Sequence, residues 1–320
     1  MKFSFNEDQR LFAEGLRELL NNECPATLVR EVWEDGSGHS PALWSHLAGM
    51  GVLAMLAPEA NGGMGGTFAD AILLFQELGR AAVPGPVLEH MAVAVPALSS
   101  SSFGADLVSG ASIGTTWVDG SPYVAHANVA NLIVGDDRVI TGFATNDAHG
   151  MDGGRRLATV SGGDITSIRT SVLGVSPFDA MALASAAYLI GLSERMIEMA
   201  AEYARVREQF GKPIGSFQAV KHLMSDALLK VEFAKAPTYR AAFSASIGAD
   251  TTVRDISMAK ALASEAAYRT SRSTMQVHGG IGYTWEADLQ LWMKKAWAIM
   301  RAHGDATFHR RRVSASVLAQ

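Results

Sequence analysis

Cysteine is almost absent from this 320-residue chain, whose only cysteine is Cys24. A single thiol cannot form an internal disulfide, excludes a zinc site built from several cysteines, and fits a reducing compartment. The N-terminus also lacks the features of a signal peptide, because acidic, amide and basic residues stand where a basic start and an apolar run are required. These absences predict a cytoplasmic protein.

Long apolar runs and an excess of positive charge are also missing. The longest nearly uncharged stretch, residues 181–192, is well below the roughly 18 residues that a membrane span requires, so we expect a buried helix there and no membrane span. The 27 Lys and Arg residues are outnumbered by 32 Asp and Glu residues, which gives a formal net charge of −5. Nucleic acid is therefore not an expected partner, since a phosphate backbone normally requires a basic face.

Apolar residues, in contrast, make up 48% of the chain, which is typical of a globular protein with a sizeable core. In the first third of the chain they recur at spacings of three and four. This periodicity predicts helices over residues 8–20, 41–50 and 67–81. We therefore assign residues 1–105 to an N-terminal α-helical domain.

The middle of the chain has a different character, with serines, glycines and short β-branched runs. The runs at residues 131–134 and 138–141 predict two strands, and the Gly-Asp-Asp between them predicts a turn. We assign residues 106–172 to a reduced β-domain. Its short length leaves little room for a ligand pocket.

Helical periodicity resumes after Ser176 and Pro177, a cap residue followed by proline in the first helical turn. One apolar stripe runs through residues 181–200. Gly211 and Pro213 are expected to end this helix, because neither residue continues helical geometry well.

The remaining chain predicts a series of further helices. Ser216 is expected to cap the next helix, and Pro237 is expected to kink or end it. The pattern then predicts helices over residues 251–275, 286–302 and 306–318. Long helices with short connections are typical of an antiparallel bundle, so we assign residues 173–320 to a C-terminal helix-bundle domain.

Two segments carry residues suited to binding an anion, and the first joins two of the long helices. Arg207 lies at the end of one helix and Gln218 at the start of the next. A tight turn would bring a guanidinium, an amide and free backbone N–H groups together, which suits a phosphate. The alternative is that Arg207 forms an ion pair with Glu202 or Glu208 on a solvated face.

The second segment is a glycine-rich turn between two later helices. Gly279 and Gly280 permit a diphosphate to approach the backbone closely, and Gln276 offers amide donors. The alternative is an ordinary interhelical turn with Gln276 in solvent. His278 has no second histidine or carboxylate at ligand spacing, so we expect no metal site.

Taken together, the two segments resemble the flavin-binding motifs of the acyl-CoA dehydrogenase family. RVREQFGKPIGSFQAVKH (205–222) resembles the family's Arg-x-Gln-Phe-Gly turn with its following Phe-Gln, and QVHGGIGYTWE (276–286) resembles its Gln-x-x-Gly-Gly-x-Gly-Tyr segment. LWSHLAGMGVLAMLAPEANGGMGG (43–66), followed by FQELGR (75–80), resembles the family's N-terminal helical domain. The resemblance implies a mainly α fold with an N-terminal helical domain, a middle β-domain that is reduced here, and a C-terminal four-helix bundle.

The resemblance also implies bound FAD and an acyl-CoA substrate. It assigns the diphosphate and adenosine side of the flavin to five residues, here called the clamp residues: Arg207, Gln218, Gln276, Gly279 and Gly280. In the family reaction a carboxylate removes the α-proton of the thioester while the β-hydrogen passes to the flavin as hydride.

The chain departs from the family pattern around the flavin ring and at the base. The Thr-Glu-Pro-x-x-Gly-Ser-Asp-like loop and the Lys-x-Trp/Phe-Ile-Thr-like segment have no match. The family's late Tyr-Glu-Gly-Thr motif corresponds to residues 302–305, where His303 replaces the carboxylate. The alternative base position falls near Met181 or Tyr188, where Asp179 is the nearest acid. His303 and Asp179 are thus the remaining candidate bases, and our main hypothesis assigns no catalytic residue.

Both departures resemble the shortened subunit of actinobacterial heteromeric acyl-CoA dehydrogenases of steroid catabolism. We therefore expect a homologous full-length subunit as partner, in an α2β2 heterotetramer. Two alternatives stay open. The chain could be a self-sufficient homo-oligomeric enzyme with an unusual base, or a noncatalytic structural paralogue that binds neither flavin nor substrate.

Overall fold

The fold is taken from a computed structural model that describes residues 4–118, 120–168, 170 and 172–318. Its helices are α1 (Glu7–Glu23), α2 (Ala26–Glu34), α3 (Pro41–Gly49), α4 (Phe68–Arg80), α5 (Val87–Glu89), α6 (Val95–Leu98), α7 (Gly104–Val108), α8 (Pro177–Val206), α9 (Gln218–Ser246), α10 (Thr252–His278), α11 (Leu289–Ile299) and α12 (Ala306–Leu318). Its strands are β1 (Gly114–Thr116), β2 (Val124–Ala125), β3 (Leu132–Val134), β4 (Arg138–Thr141), β5 (Ala144–Ala148), β6 (Leu157–Ser161), β7 (Asp164–Ser167), β8 (Glu208–Gln209) and β9 (Lys212–Pro213). These elements give the mainly α architecture that the sequence predicts, with helices on either side of a short strand segment.

Helices α1, α3 and α4 begin at polar caps. Asn6 precedes α1, and its side chain accepts a hydrogen bond from the Gln9 backbone N–H at 2.7 Å while the Gln9 side chain accepts one from the Asn6 N–H at 2.9 Å. This reciprocal pair satisfies two N–H groups that a helix start leaves without acceptors. The three helices predicted in this region are confirmed as α1, α3 and α4, and α2 was not predicted.

The strands of the middle segment form two small sheets. The strand order is β1-β3-β4-β7 in one sheet and β2-β6-β5 in the other. The two predicted strands are confirmed as β3 and β4, which pair antiparallel with Ile133 opposite Ile140. Apolar residues of this segment, among them Val124, Ile133 and Ile140, form their own small core.

The C-terminal half differs from the sequence prediction at three places. Helix α8 ends at Val206, before Gly211 and Pro213, because the chain turns there into the β8–β9 hairpin. Ser216 does not cap α9, since its hydroxyl donates to the Pro213 carbonyl at 2.7 Å and Phe217 takes the cap position. Helix α9 continues through Pro237 to Ser246. Its packing against α8 and α10 compensates the hydrogen bond that proline cannot donate.

Helices α4 and α8 cross in backbone contact. A Cβ atom on Gly79 of α4 would lie 2.1 Å from the Tyr188 carbonyl oxygen, and one on Gly191 of α8 would lie 1.8 Å from the Gln76 carbonyl oxygen. Residues 181–192 are all buried, which confirms the predicted buried helix. By length and composition α8 could cross a membrane, but 83% of its most apolar window is buried inside the protein, as in a core helix.

Candidate functional site

The turn after α8 places Arg207 at the base of a hairpin. The Arg207 N–H donates to the Tyr203 carbonyl at 2.9 Å, and its carbonyl accepts from the Ile214 N–H at 2.8 Å. Strands β8 and β9 pair between these two bonds. Phe210 at the tip adopts a left-handed conformation with φ +57° and is 91% exposed. The Arg207 side chain is exposed beside this hairpin.

The start of α9 supplies the second clamp residue. Gln218 is the first residue of the helix and is exposed. The first N–H groups of a helix have no intrahelical acceptor, so this end of α9 offers backbone donors beside the Gln218 amide. Phe217, just before it, packs its ring beneath the Lys212 ammonium, which lies 4.5 Å from the ring centroid.

The end of α10 supplies the other three clamp residues. Gln276 is exposed in the last turn, and Gly279 follows the helix with φ +62°. A Cβ atom on Gly279 or Gly280 would meet nothing within 4 Å. The backbone of this turn is therefore open to the approach of a ligand.

A ring stack and a small apolar cluster bring the two segments together at one end of the bundle. Tyr203 of α8 stacks on His278 of α10 with ring centroids 4.6 Å apart and an interplanar angle of 15°. Beside this stack, Ala204 and Val277 are buried together, and Ile214 of the turn packs against them. The motifs at residues 205–222 and 276–286 thus share one surface.

The clamp residues fit the diphosphate of a nucleotide. Glu202, one alternative partner of Arg207, forms an ion pair with Arg195 at 3.2 Å instead. No ion pair of Arg207 is found among the described residues, which leaves its guanidinium available. A free guanidinium, two exposed amides and an open glycine turn are donors that a diphosphate prefers. The clamp assignment itself stays a prediction.

The candidate base His303 is closed off from solvent and from ligands. It is 4% exposed, and its Nδ1 lies 3.5 Å from the Ser185 hydroxyl oxygen. Burial lowers the pKa of His303 well below its usual value, and the nearby cations of Arg155 and Lys260 lower it further. The imidazole is therefore neutral and surrounded by the core.

The candidate base Asp179 is held in an ion pair. Its carboxylate accepts from Arg312 of α12 at 2.7 Å and from the Ser176 hydroxyl at 2.8 Å. Tyr188, at the alternative base position, donates its hydroxyl to the Val83 carbonyl at 2.9 Å, and burial raises its pKa well above the usual value. Met181 is fully buried.

Sequence reasoning missed the cavities and a buried charge cluster. The three cavities described are an open groove of about 970 Å³ between α9, α10 and α12, a pocket of about 310 Å³ between α1, α4, α8 and α11, and a buried cavity of about 10 Å³. The strand segment lines only the smallest, through His126 and Arg155. That cavity lies beside the buried ion pairs Glu89–Arg155 at 3.8 Å and Asp152–Lys295 at 3.2 Å. Only the fold brings these charges together, so no sequence motif marks them.

Comparison with known proteins gives a consistent result along the chain. Residues 6–104 match the family model "Acyl-CoA dehydrogenase, N-terminal domain", and residues 174–318 match "Acyl-CoA dehydrogenase, C-terminal domain". The acyl-CoA dehydrogenase IpdE2 of Mycolicibacterium smegmatis is 34% identical over 319 residues, covering 98% of this chain and 99% of that protein.

Solved structures share the fold. One chain of the ChsE4-ChsE5 complex from Mycobacterium tuberculosis superimposes with a TM-score of 0.89 at 24% identity, covering 100% of both chains. A chain of the Tcur3481-Tcur3483 steroid ACAD G363A variant superimposes with a TM-score of 0.82 at 22% identity, covering 98% of this chain and 99% of that one. At these identities the superpositions show a common architecture.

Proposed function

Since this chain belongs to the acyl-CoA dehydrogenase family of FAD-dependent flavoproteins, we propose that it is one subunit of a heteromeric enzyme of this kind. Its clamp residues hold the diphosphate of FAD. A homologous full-length subunit supplies the pocket for the flavin ring and the catalytic base. The complex desaturates the α,β-bond of an acyl-CoA thioester.

The bound flavin supplies the hydride acceptor for this reaction. This chain's own contribution is binding and orientation. Arg207 offers a charge-assisted, two-pronged hydrogen bond to phosphate oxygens, which binds an anion more specifically than a lysine would. Gln218 and Gln276 add neutral donors, and the open turn at Gly279 and Gly280 lets the diphosphate reach the backbone.

The main support for the proposal is a contrast in accessibility: the clamp residues are open to a ligand, whereas the candidate base residues are not. The Arg207 guanidinium is exposed without an ion pair among the described residues. His303 is buried and neutral, and the Asp179 carboxylate is paired with Arg312. A general base must reach the proton that it removes, so these residues support a division of labour between two subunits.

An exposed apolar surface beside the clamp supports a protein partner. Phe210 is 91% exposed, Tyr283 79% and Val206 76%, and all three lie in or next to the two clamp turns. Leu229 and Phe233, three to four helical turns farther along α9, are also exposed. Clustered exposed apolar side chains mark interaction sites in soluble proteins. A closed two-fold assembly with two copies of each chain would bury this surface.

The names of two structural neighbours support the same assignment. ChsE4-ChsE5 and Tcur3481-Tcur3483 are each named as a pair of chains, and the latter is named a steroid ACAD. By analogy we propose a second chain for this protein and a steroid-derived acyl group in its substrate. We place the complex in the cytoplasm, because a single, buried cysteine suits a reducing compartment.

Flavin absorbance tests the proposal. The chain is purified alone and after co-expression with each homologous full-length subunit from the same genome. We expect no flavin on the chain alone and bound FAD with one of the partners. FAD on the chain alone would instead support the self-sufficient enzyme. Absence of FAD from every combination would support the structural paralogue.

A further inference from the structure

His278 lies within the second clamp segment, at a position where the family motif specifies no residue type. It is the last residue of α10 and directly precedes Gly279 and Gly280. Its ring stacks on Tyr203, which lies one helical turn before Arg207 on α8. The ring therefore contacts the last turns of α8, ahead of Arg207, and its residue directly adjoins the glycine turn.

The hydrogen bonding of His278 fixes which nitrogen is available. Its Nδ1 lies 2.8 Å from the Thr274 carbonyl oxygen, which can only accept. Nδ1 must therefore carry the hydrogen, so in the neutral ring Nε2 holds a lone pair. No partner of Nε2 is found within the described parts of the chain, and the side chain is half-buried. Protonation at Nε2 would create a second, charged donor without disturbing the first.

The surroundings of His278 favour the neutral form of the free ring. Burial lowers its pKa, although the hydrogen bond to Thr274 partly opposes this effect. Tyrosine, histidine and charged residues on the elements around it are Glu202, Tyr203, Arg205 and Arg207 at the end of α8, Glu208 in β8, Lys212 in β9, Lys221 and His222 in the first turns of α9, Arg272 on α10 itself, and Tyr283 in the following turn. Glu202 is paired with Arg195. Glu208 is the other carboxylate in this turn, and an added diphosphate, with two negative charges, would increase the negative potential beside the ring.

We propose that His278 is a further clamp residue whose protonated Nε2 binds the diphosphate of FAD, so that flavin binding takes up one proton. This inference rests on the proposed function, because it needs the diphosphate at the clamp. A neighbouring anion favours the charged form of histidine. By linkage, FAD binds more tightly as the pH falls between the pKa values of the bound and the free protein, by up to tenfold per pH unit.

The test measures the FAD dissociation constant of the assembled complex from flavin fluorescence between about pH 5.5 and 8.5, the range in which histidine changes charge. We expect the affinity of the wild type to rise as the pH falls. His278→Leu should flatten this profile and weaken binding most at low pH. His222→Leu removes a nearby exposed histidine and serves as the matched control, which should keep the wild-type slope.

A second measurement uses the wild-type complex and so does not require that any variant folds. NMR titration of the wild-type complex, labelled at the histidine Cε1 positions, should show the His278 pKa rising when FAD binds. A flat or inverted pH profile, an unshifted His278 pKa, or an unchanged slope in His278→Leu would each overturn the inference. Arg207→Ala distinguishes a failure of the proposed clamp from a failure of the role of His278. If Arg207→Ala leaves FAD binding unchanged, the clamp assignment is wrong. If Arg207→Ala weakens FAD binding but the wild type shows no pH dependence, only the role of His278 is contradicted.

Discussion

Arg207 is the clamp residue with the most direct prediction. Arg207→Ala removes a charge-assisted bond to the diphosphate, which is typically worth about 1.5–3 kcal/mol, or about 10- to 150-fold in affinity. Because Arg207 is exposed and makes no ion pair within the described residues, folding should be unaffected. FAD retention during dilution of the complex measures the effect. Arg205→Ala, which removes another exposed arginine two residues earlier, is the control. Equal flavin occupancy in both variants would make Arg207 an ordinary surface residue.

Gly280 permits a test in which the free protein tolerates the change. A Cβ atom there would meet no protein atom within 4 Å, so Gly280→Val should fold normally. The valine should nevertheless keep the diphosphate away from the backbone and lower FAD retention as Arg207→Ala does. Gly279 is less suitable, because its φ of +62° would strain any replacement. Unimpaired retention in Gly280→Val, with unchanged melting, would separate this turn from the cofactor.

His303 and Asp179 are predicted to be dispensable for the chemical step. In the active complex, His303→Ala and Asp179→Asn should each leave turnover per bound FAD within a few-fold of wild type, because a general base typically contributes roughly 10²–10⁴. Asp179→Asn also weakens the ion pair with Arg312, so its FAD content and melting temperature must be measured alongside. A loss of the size expected for a base, with FAD still bound, would restore that residue as the base and favour the self-sufficient enzyme.

At the scale of elements, the crossing of α4 and α8 depends on glycine. Gly191→Ala would place a methyl group 1.8 Å from the Gln76 carbonyl oxygen, and the forced separation of the helices should cost about 1–3 kcal/mol of unfolding free energy or more. Gly49 of α3 has nothing within 4 Å of its Cβ position. Gly49→Ala should therefore leave stability unchanged or slightly raised, as expected for alanine in a helix. Similar denaturation midpoints for the two variants would contradict a close crossing.

The sequence predicts those elements whose signals are local. Periodicity located α1, α3 and α4, and Ser176-Pro177 located the start of α8, because caps and apolar stripes are properties of neighbouring residues. The hairpin after Val206 was missed. Ser216 was wrongly expected to cap α9, because its hydroxyl bonds to the nearby Pro213 carbonyl rather than to the helix that follows. Pro237 was expected to kink or end its helix, but α9 continues to Ser246, packed against α8 and α10.

The candidate site shows the same limit. The clamp residues lie in two short motifs, so sequence alone could nominate them. Tyr203 stacks on His278, but the two residues are far apart in the chain and neither residue type by itself predicts the contact. The ion pairs of Asp179 and Glu89 likewise depend on which helices and loops meet. Where the motifs lie could be predicted, but how the fold closes the base positions could not.

At the scale of the whole molecule, the open clamp predicts an assembly. Light scattering on the co-expressed complex should give the mass of two copies of each chain, because a closed two-fold arrangement buries matching surfaces. The flavin-to-protein ratio, measured on the same sample, reports whether each partner chain carries its own FAD. A stable homotetramer of this chain with one FAD per subunit would contradict the heteromeric proposal.

The main core is continuous across the molecule. Phe75 of α4, Leu189 of α8, Ala241 of α9 and Ile299 of α11 all belong to one cluster of buried apolar residues. The helices of the N-terminal and C-terminal family matches are thus parts of a single packed body, with the strand segment inserted between them in sequence.

The contact between α4 and α8 has a consequence for synthesis in the cell. Helix α4 ends at Arg80, but the helix it packs against is complete only at Val206. At the usual pace of translation that delay is about 6 to 25 seconds. During it α1 can already pack against α4, but the side of α4 around Gln76 and Gly79 has left the ribosome without the helix that covers it. Nascent chains stalled within this interval should therefore recruit holding chaperones, and release from them should await the emergence of α8.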